Sequence, residues 1–115
     1  AMAKNDDGSI TKTYKAKWIT ALTSGKYGQT EGFLHDGGNY CAIGVALHAC
    51  NHIPREELDS CTTTDDIYLA DEYDNIPTEL LQNSELSDTV MKFNDEDNYT
   101  FKWIADWIEK NVEAV

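Results

Sequence analysis

Apolar positions recur with a helical period at both ends of this chain and lose it in between. Tyr14, Trp18, Ala21 and Leu22 fall on one side of a helix with Lys12, Lys15 and Lys17 on the remaining surface, which predicts a helix over 10–23. Ser24-Gly25 stops it, because glycine just past a helix end accepts positive φ without Cβ strain. Residues 32–35 and 40–41 read as two short strands around Asp36-Gly37-Gly38-Asn39, a turn whose glycines supply the positive φ of a tight hairpin. The expected partners are 36 with 39, 35 with 40 and 34 with 41. The run AIGVALHACN over 42–51 is nearly all apolar and rich in alanine, so it suits a buried helix, with Gly44 marking close packing.

Pro54 precedes Arg55-Glu56-Glu57-Leu58, a short helix whose acids suit the positive end of the helix dipole. Residues 60–76 mix turn formers with Ile67, Tyr68, Leu69 and Tyr73, and strand and ordered loop fit equally. Pro77 opens another helical segment over 77–83, and Ser84 caps a further helix through Leu86, Val90 and Phe93. In the last helix, capped by Thr100, positions Phe101, Ile104, Ala105, Ile108 and Val112 share one face; Trp103 and Trp107 border it. The expected fold is therefore α+β and mainly α, with four to six helices and one small β-hairpin near 32–41 on a single core.

With 115 residues and 41% hydrophobic composition the chain is long enough to bury a core without metal or disulfide support. Ala1 ahead of Met2 reads as a remnant of expression and the polar 4–9 run as part of a disordered start over 1–9, leaving one globular domain over 10–115. No apolar run reaches the length of a membrane span and no secretion signal opens the chain, so a cytoplasmic location is expected. Cys41, Cys50 and Cys61 are odd in number and lack C-x-x-C spacing, which predicts reduced thiols, no disulfide framework and no standard zinc module.

Charge changes the picture through its distribution. Residues 1–53 carry five lysines and four acids, whereas 54–115 carry 17 acids against Arg55, Lys92, Lys102 and Lys110, so the net charge of −12 arises in the second half. Such a field repels phosphates and disfavours nucleic acid; a protein with a basic surface is the natural partner. The blander alternative is that the acidity serves solubility alone.

Several residues resemble a known pattern. Trp18, Ala21, Leu22, Ser24, Gly25, Tyr27, Gln29, Gly32, Leu34, Tyr40, Cys41, Gly44 and Val45, followed by Asn94-Asp95 and then Phe101, Ile104, Ala105, Asp106 and Ile108, are similar to a family of small uncharacterised proteins of bacteriophages and some bacteria. The resemblance implies origin and no chemistry, since that family has no assigned function; if the chain is phage-encoded, its place is the host cytoplasm. The chain departs from the pattern at Ala42, where a second cysteine is common, and at His35, where an arginine is common. A role resting on a vicinal dithiol or on that positive charge is lost here.

Three chemical readings follow from the residues. Cys41 at the start of an apolar helix is a candidate nucleophile favoured by the helix dipole, but the hairpin register turns His35 toward Tyr40, and His48 lies about 10 Å along the helix, so only His52 or a register slip supplies a base; the favoured expectation is a buried thiol packed beneath the hairpin. Cys41, His48, Cys50 and His52 are candidate metal ligands, although Cys50 sits about 200° around the helix from His48 and Cys41 two turns away. The acidic run Asn94-Asp95-Glu96-Asp97-Asn98 fails as a calcium loop: counting from Asp95, the sixth position is Thr100 and the twelfth Asp106. No cofactor or metal is expected.

Two functions of different class remain. The favoured one is a non-enzymatic accessory protein of phage type that modulates a host or phage protein through Asp65, Asp66, Tyr68, Asp71, Glu72, Tyr73 and Asp74. In its most specific form the acids imitate nucleic-acid phosphates. The alternative is a cysteine hydrolase or transferase centred on Cys41, which requires an exposed sulfur within hydrogen-bond reach of a histidine.

Overall fold

The computed structural model describes residues 10–66, 76–81 and 84–115, with the Asp65 side chain outside that description. Helix α1 runs Lys12–Thr23, β1 Gly28–Gln29, β2 His35–Asp36, β3 Asn39–Tyr40, α2 Ala42–Asn51, α3 Arg55–Leu58, α4 Glu85–Asp95 and α5 Phe101–Asn111. Two single 3₁₀ turns cover Thr64–Asp66 and Thr78–Leu80. The fold is α+β and mainly α, as the periodicity predicts.

Side-chain caps decide where the helices begin. Thr11 Oγ1 accepts the Tyr14 N–H, Cys41 Sγ the Gly44 N–H, Ser84 Oγ the Ser87 N–H and Thr100 Oγ1 the Trp103 N–H, each satisfying an otherwise orphaned donor of a first turn. The first helix therefore starts at Lys12 rather than at residue 10. Ile10 instead pairs with the end of the chain: its carbonyl accepts the Val115 N–H, and the Lys12 N–H reaches the Val115 carbonyl. The 77–83 segment, expected as a helix, supplies only the 3₁₀ turn Thr78–Leu80 among its described residues, since Leu81 has already returned to extended backbone.

The hairpin has the expected register, His35 opposite Tyr40 and Asp36 opposite Asn39, and Gly37 and Gly38 both take positive φ. Its regular pairing is shorter than the expected strands because Cys41 already caps α2, though the Cys41 N–H still reaches the Leu34 carbonyl. One strand was not foreseen. Gly28 and Gln29 pair in parallel with Asn39 and Tyr40, giving the sheet order β1-β3-β2.

Helix α1 lies between α2 and α5. Trp18 and Tyr14 are buried against α2, where Trp18 Nε1 donates to the Ala42 carbonyl at 3.0 Å and the Tyr14 hydroxyl to Asn51 Oδ1 at 2.6 Å. On the other side Lys15 Nζ donates to the Glu109 and Val112 carbonyls and so caps the negative end of α5. Phe101, Ile104, Ala105, Ile108 and Val112 are all buried, as their spacing requires. The core they join is one contiguous cluster extending from Ile10 to Val112.

Asn94 binds the sheet to the helices. Its Oδ1 accepts from Gln29 Nε2 at 2.9 Å and from the Ala42 N–H at 3.2 Å, while its Nδ2 donates to the Thr30 carbonyl and to Asp95 Oδ1, both at 2.8 Å. Asp95 Oδ1 also accepts the Gly32 N–H. The Asn-Asp pair is thus more than a turn before the last helix: it fixes β1, the loop after it and the first turn of α2 together.

Candidate functional site

Cys41 and His52 do not form a catalytic pair. They are the N-cap and C-cap of α2, separated by a helix of ten residues and hence by about 16 Å of rise. Cys41 is only 4% exposed, and burial pushes its thiol up to about 12 against the lowering effect of the Gly44 N–H, so it stays protonated near neutrality. His52 is exposed at φ 58°, closing the helix in the left-handed conformation. The thiol acts as a cap and as packing beneath the hairpin. Cys50 is likewise buried, with its pKa raised to about 12 by desolvation. Among the described residues no three His, Cys, Asp or Glu side chains are grouped as a metal ion requires.

Of the acids expected to form the contact surface, Asp66 is engaged internally. Its Oδ2 accepts from the Thr62 hydroxyl at 2.7 Å, the Thr62 N–H at 3.0 Å and the Thr63 N–H at 3.3 Å. These bonds, the Thr62 hydroxyl first, hold its carboxyl below the usual range. Tyr68, Asp71, Glu72, Tyr73 and Asp74 lie outside the described residues, as does the Asp65 side chain.

A ring cluster covers the sheet. Tyr40 lies between His35 and His48, with centroids 4.7 and 5.3 Å away, and Tyr27 meets Tyr40 edge-on at 4.9 Å. The Tyr27 hydroxyl is 2.9 Å from His48 Nδ1, and His35 Nδ1 is 3.3 Å from Asp59 Oδ1. Burial lowers the His48 pKa, helped by the neighbouring His35 and Arg55. A histidine with a folded pKa below its unfolded value binds its proton more weakly when folded, so the stability it contributes is full above about pH 6.5 and is lost as pH falls from there through the lower folded pKa. The melting temperature of the parent protein is therefore expected to fall between about pH 7.5 and about pH 5.5, and that of His48→Gln to fall less. Parallel thermal-melt profiles for the two proteins would show that His48 is not the group responsible.

A group of aromatic side chains reaches the surface on the α4–α5 face. Phe93 of α4 wedges between the two α5 indoles, 5.0 Å from Trp103 and 5.0 Å from Trp107, edge to face in both cases. Tyr99 stacks on Trp103 at 3.9 Å with the planes 29° apart. Trp103 remains 41% exposed, whereas Phe93, Tyr99 and Trp107 are half-buried. Asp95, Glu96, Asp97, Asp106 and Glu109 are on the same two helices or the loop between them; Asp97 is paired with Lys92 at 3.0 Å and Asp106 with Lys110 at 2.9 Å. The spacing of Trp103 and Trp107 marks both as bordering the core. That they form a ladder with Phe93 and Tyr99 depends on how α4 docks, which no local pattern encodes.

This geometry defines a small acidic α+β domain that presents an aromatic ridge, with its buried thiols serving structure. Residues 10–89 match the family Domain of unknown function (DUF8296), and the chain belongs to that family. No curated protein and no solved structure matches the chain. The match ends within α4, while the hydrophobic core continues through α5. Among the described residues no helix is long and apolar enough to cross a membrane.

Proposed function

We propose that this protein is a small acidic accessory protein of phage type that binds and modulates a host protein bearing a basic surface. The observation that carries the reading is the ridge of Tyr99, Trp103, Phe93 and Trp107 on the acidic half of the chain. Tyrosine and tryptophan anchors supply large contact area with little conformational entropy to lose, which is why they dominate the energetic centres of interfaces. The surrounding carboxylates favour basic partners and steer their approach. In this reading the contact surface is the α4–α5 face, and Trp103, 41% exposed, is its anchor. The resemblance to phage proteins is the support for the origin of the protein and of its partner.

The test is capture from host lysate on immobilised parent protein and on Trp103→Ala, eluted with salt. The parent is expected to retain a basic protein at about 50 mM salt and release it as salt rises toward about 500 mM, where charges are screened within a few ångströms. Trp103→Ala is expected to weaken the purified complex about tenfold at a temperature well below the melting transition of both proteins, the variant melting somewhat lower because it loses the Tyr99 stack and the Phe93 contact. No retention at low salt, or equal retention by the variant, would overturn the reading.

A further inference from the structure

The aromatic ridge ends in a cleft of about 450 Å³ between the 3₁₀ turn Thr78–Leu80, the start of α4 and the end of α5. Leu86, Trp107 and Val112 form its apolar walls, and the ionisable groups lining it are Glu79, Glu85 and Glu113. Among the described residues no lysine or arginine lines it. Among the described residues none of the three carboxylates forms an ion pair; Glu79 Oε2 accepts the Ile10 N–H at 3.4 Å. The groove of about 600 Å³ between α1 and α5 differs in this respect, because Lys102 lines it together with Asp106 and Glu109. Two lysines of α4 and α5 are also committed, Lys92 to Asp97 and Lys110 to Asp106.

We propose that the cleft receives an arginine side chain from the partner, its guanidinium against the Trp107 indole and between Glu85 and Glu113. This rests on the protein-binding reading above and specifies what the partner brings. Arginine suits the chemistry on three counts. Its planar cation stacks on an indole and loses less hydration than an ammonium; its fork of donors satisfies carboxylates on more than one side; and its aliphatic stem covers Leu86 and Val112. Phe93 holds the Trp107 ring edge-on from α4, so the indole wall is fixed before a ligand arrives.

The experiment follows the three indole N–H resonances by NMR while the full chain is titrated with a capped pentapeptide, acetyl-Gly-Leu-Arg-Leu-Gly-amide, and with its citrulline counterpart, which is neutral and nearly isosteric. The arginine peptide is expected to shift the Trp107 resonance saturably, with the citrulline peptide at least about tenfold weaker and Glu85→Gln/Glu113→Gln costing the arginine peptide a similar factor. Both glutamates are exposed, so the double variant keeps its fold, as the unchanged Trp18 resonance reports. Equal affinity for the two peptides, or shifts confined to Trp103, would overturn the assignment. Polyarginine separates the two levels of the proposal. Salt-sensitive binding that leaves Trp107 unmoved removes the cleft and leaves the acidic-surface reading standing, whereas no binding of polyarginine at low salt ends both.

Discussion

Gly44→Ala is expected to destabilise the protein by at least about 3 kcal/mol, the upper end of what overpacking a core costs. Mid-helix glycine is ordinarily a weakness, and alanine there gains about 1 kcal/mol of helix propensity. Here the sign reverses. A Cβ on Gly44 would lie 1.9 Å from the Leu34 carbonyl oxygen and 2.8 Å from its carbon, both of them backbone atoms that no rotamer change can move aside. That carbonyl is also held in place, because it accepts the Cys41 N–H at 3.3 Å while the Leu34 N–H donates to the Cys61 carbonyl at 2.7 Å. To admit one methyl group, α2 must separate from the strand that covers it, disturbing the hairpin and the loop at residue 61 together. For a domain whose whole stability is about 5–15 kcal/mol, this is a large fraction. Urea denaturation monitored by tryptophan fluorescence measures it; a midpoint equal to or above that of the parent would show that the close approach is not limiting.

Asn94→Ala is expected to cost about 2–4 kcal/mol, because it orphans several buried groups at once. Asn94 uses both ends of its amide: two donors converge on Oδ1 and two acceptors receive Nδ2. Truncation leaves the Ala42 N–H at the first turn of α2 and the Thr30 carbonyl without these partners, inside a region that Asn94 itself keeps closed at 1% exposure. The effect is local in a way that identifies its cause. The amides around Gln29, Thr30 and Gly32 should lose hydrogen-exchange protection, whereas the α1 amides beside Trp18 should follow only the global loss of stability. Lys102→Ala, at an exposed helical position of α5, serves as the control. If both variants melt alike, the Asn94 network contributes little.

These two positions show how far the sequence carries. Gly44 is legible as a point of close packing because a glycine inside an alanine-rich apolar helix has few other reasons to be there, yet what approaches it is decided by the hairpin lying across α2. Asn94 looks like one polar residue in an acidic run. The run fails a calcium-loop test, while the hydrogen-bond partners of Asn94 in the sheet and in α2 lie 52 to 65 residues away in the chain. The same distinction applies to β1. Gly28-Gln29 has no alternation of apolar and polar positions to announce a strand, and its pairing is supplied by β3.

For the functional surface the sequence points to the acidic second half, and the structure brings together another part of it. Asp66 spends its carboxylate on its own loop, and most of the other residues first favoured lie outside the described part of the chain. Trp103 and Trp107 are recognisable as bordering the core, but α5 alone cannot say that Phe93 wedges between them or that Tyr99 lies over one of them. Lys15 is similar: periodicity puts it on the outside of α1, and only the packing of α5 gives it two carbonyls to cap.

The sequence by itself determined α1 and α5 from their apolar period, the starts of α4 and α5 from capping hydroxyls, the hairpin register from the Gly-Gly turn, and the acidity of the second half. All of these depend on contacts within a few residues or on charge, which no folding is needed to count. The tertiary structure alone decided that Lys15 caps α5, that Asn94 joins sheet to helices, and that four aromatic rings meet on the α4–α5 face beside a cleft lined by three glutamates. Each of those depends on groups far apart in the chain, whose meeting is fixed by how whole elements dock.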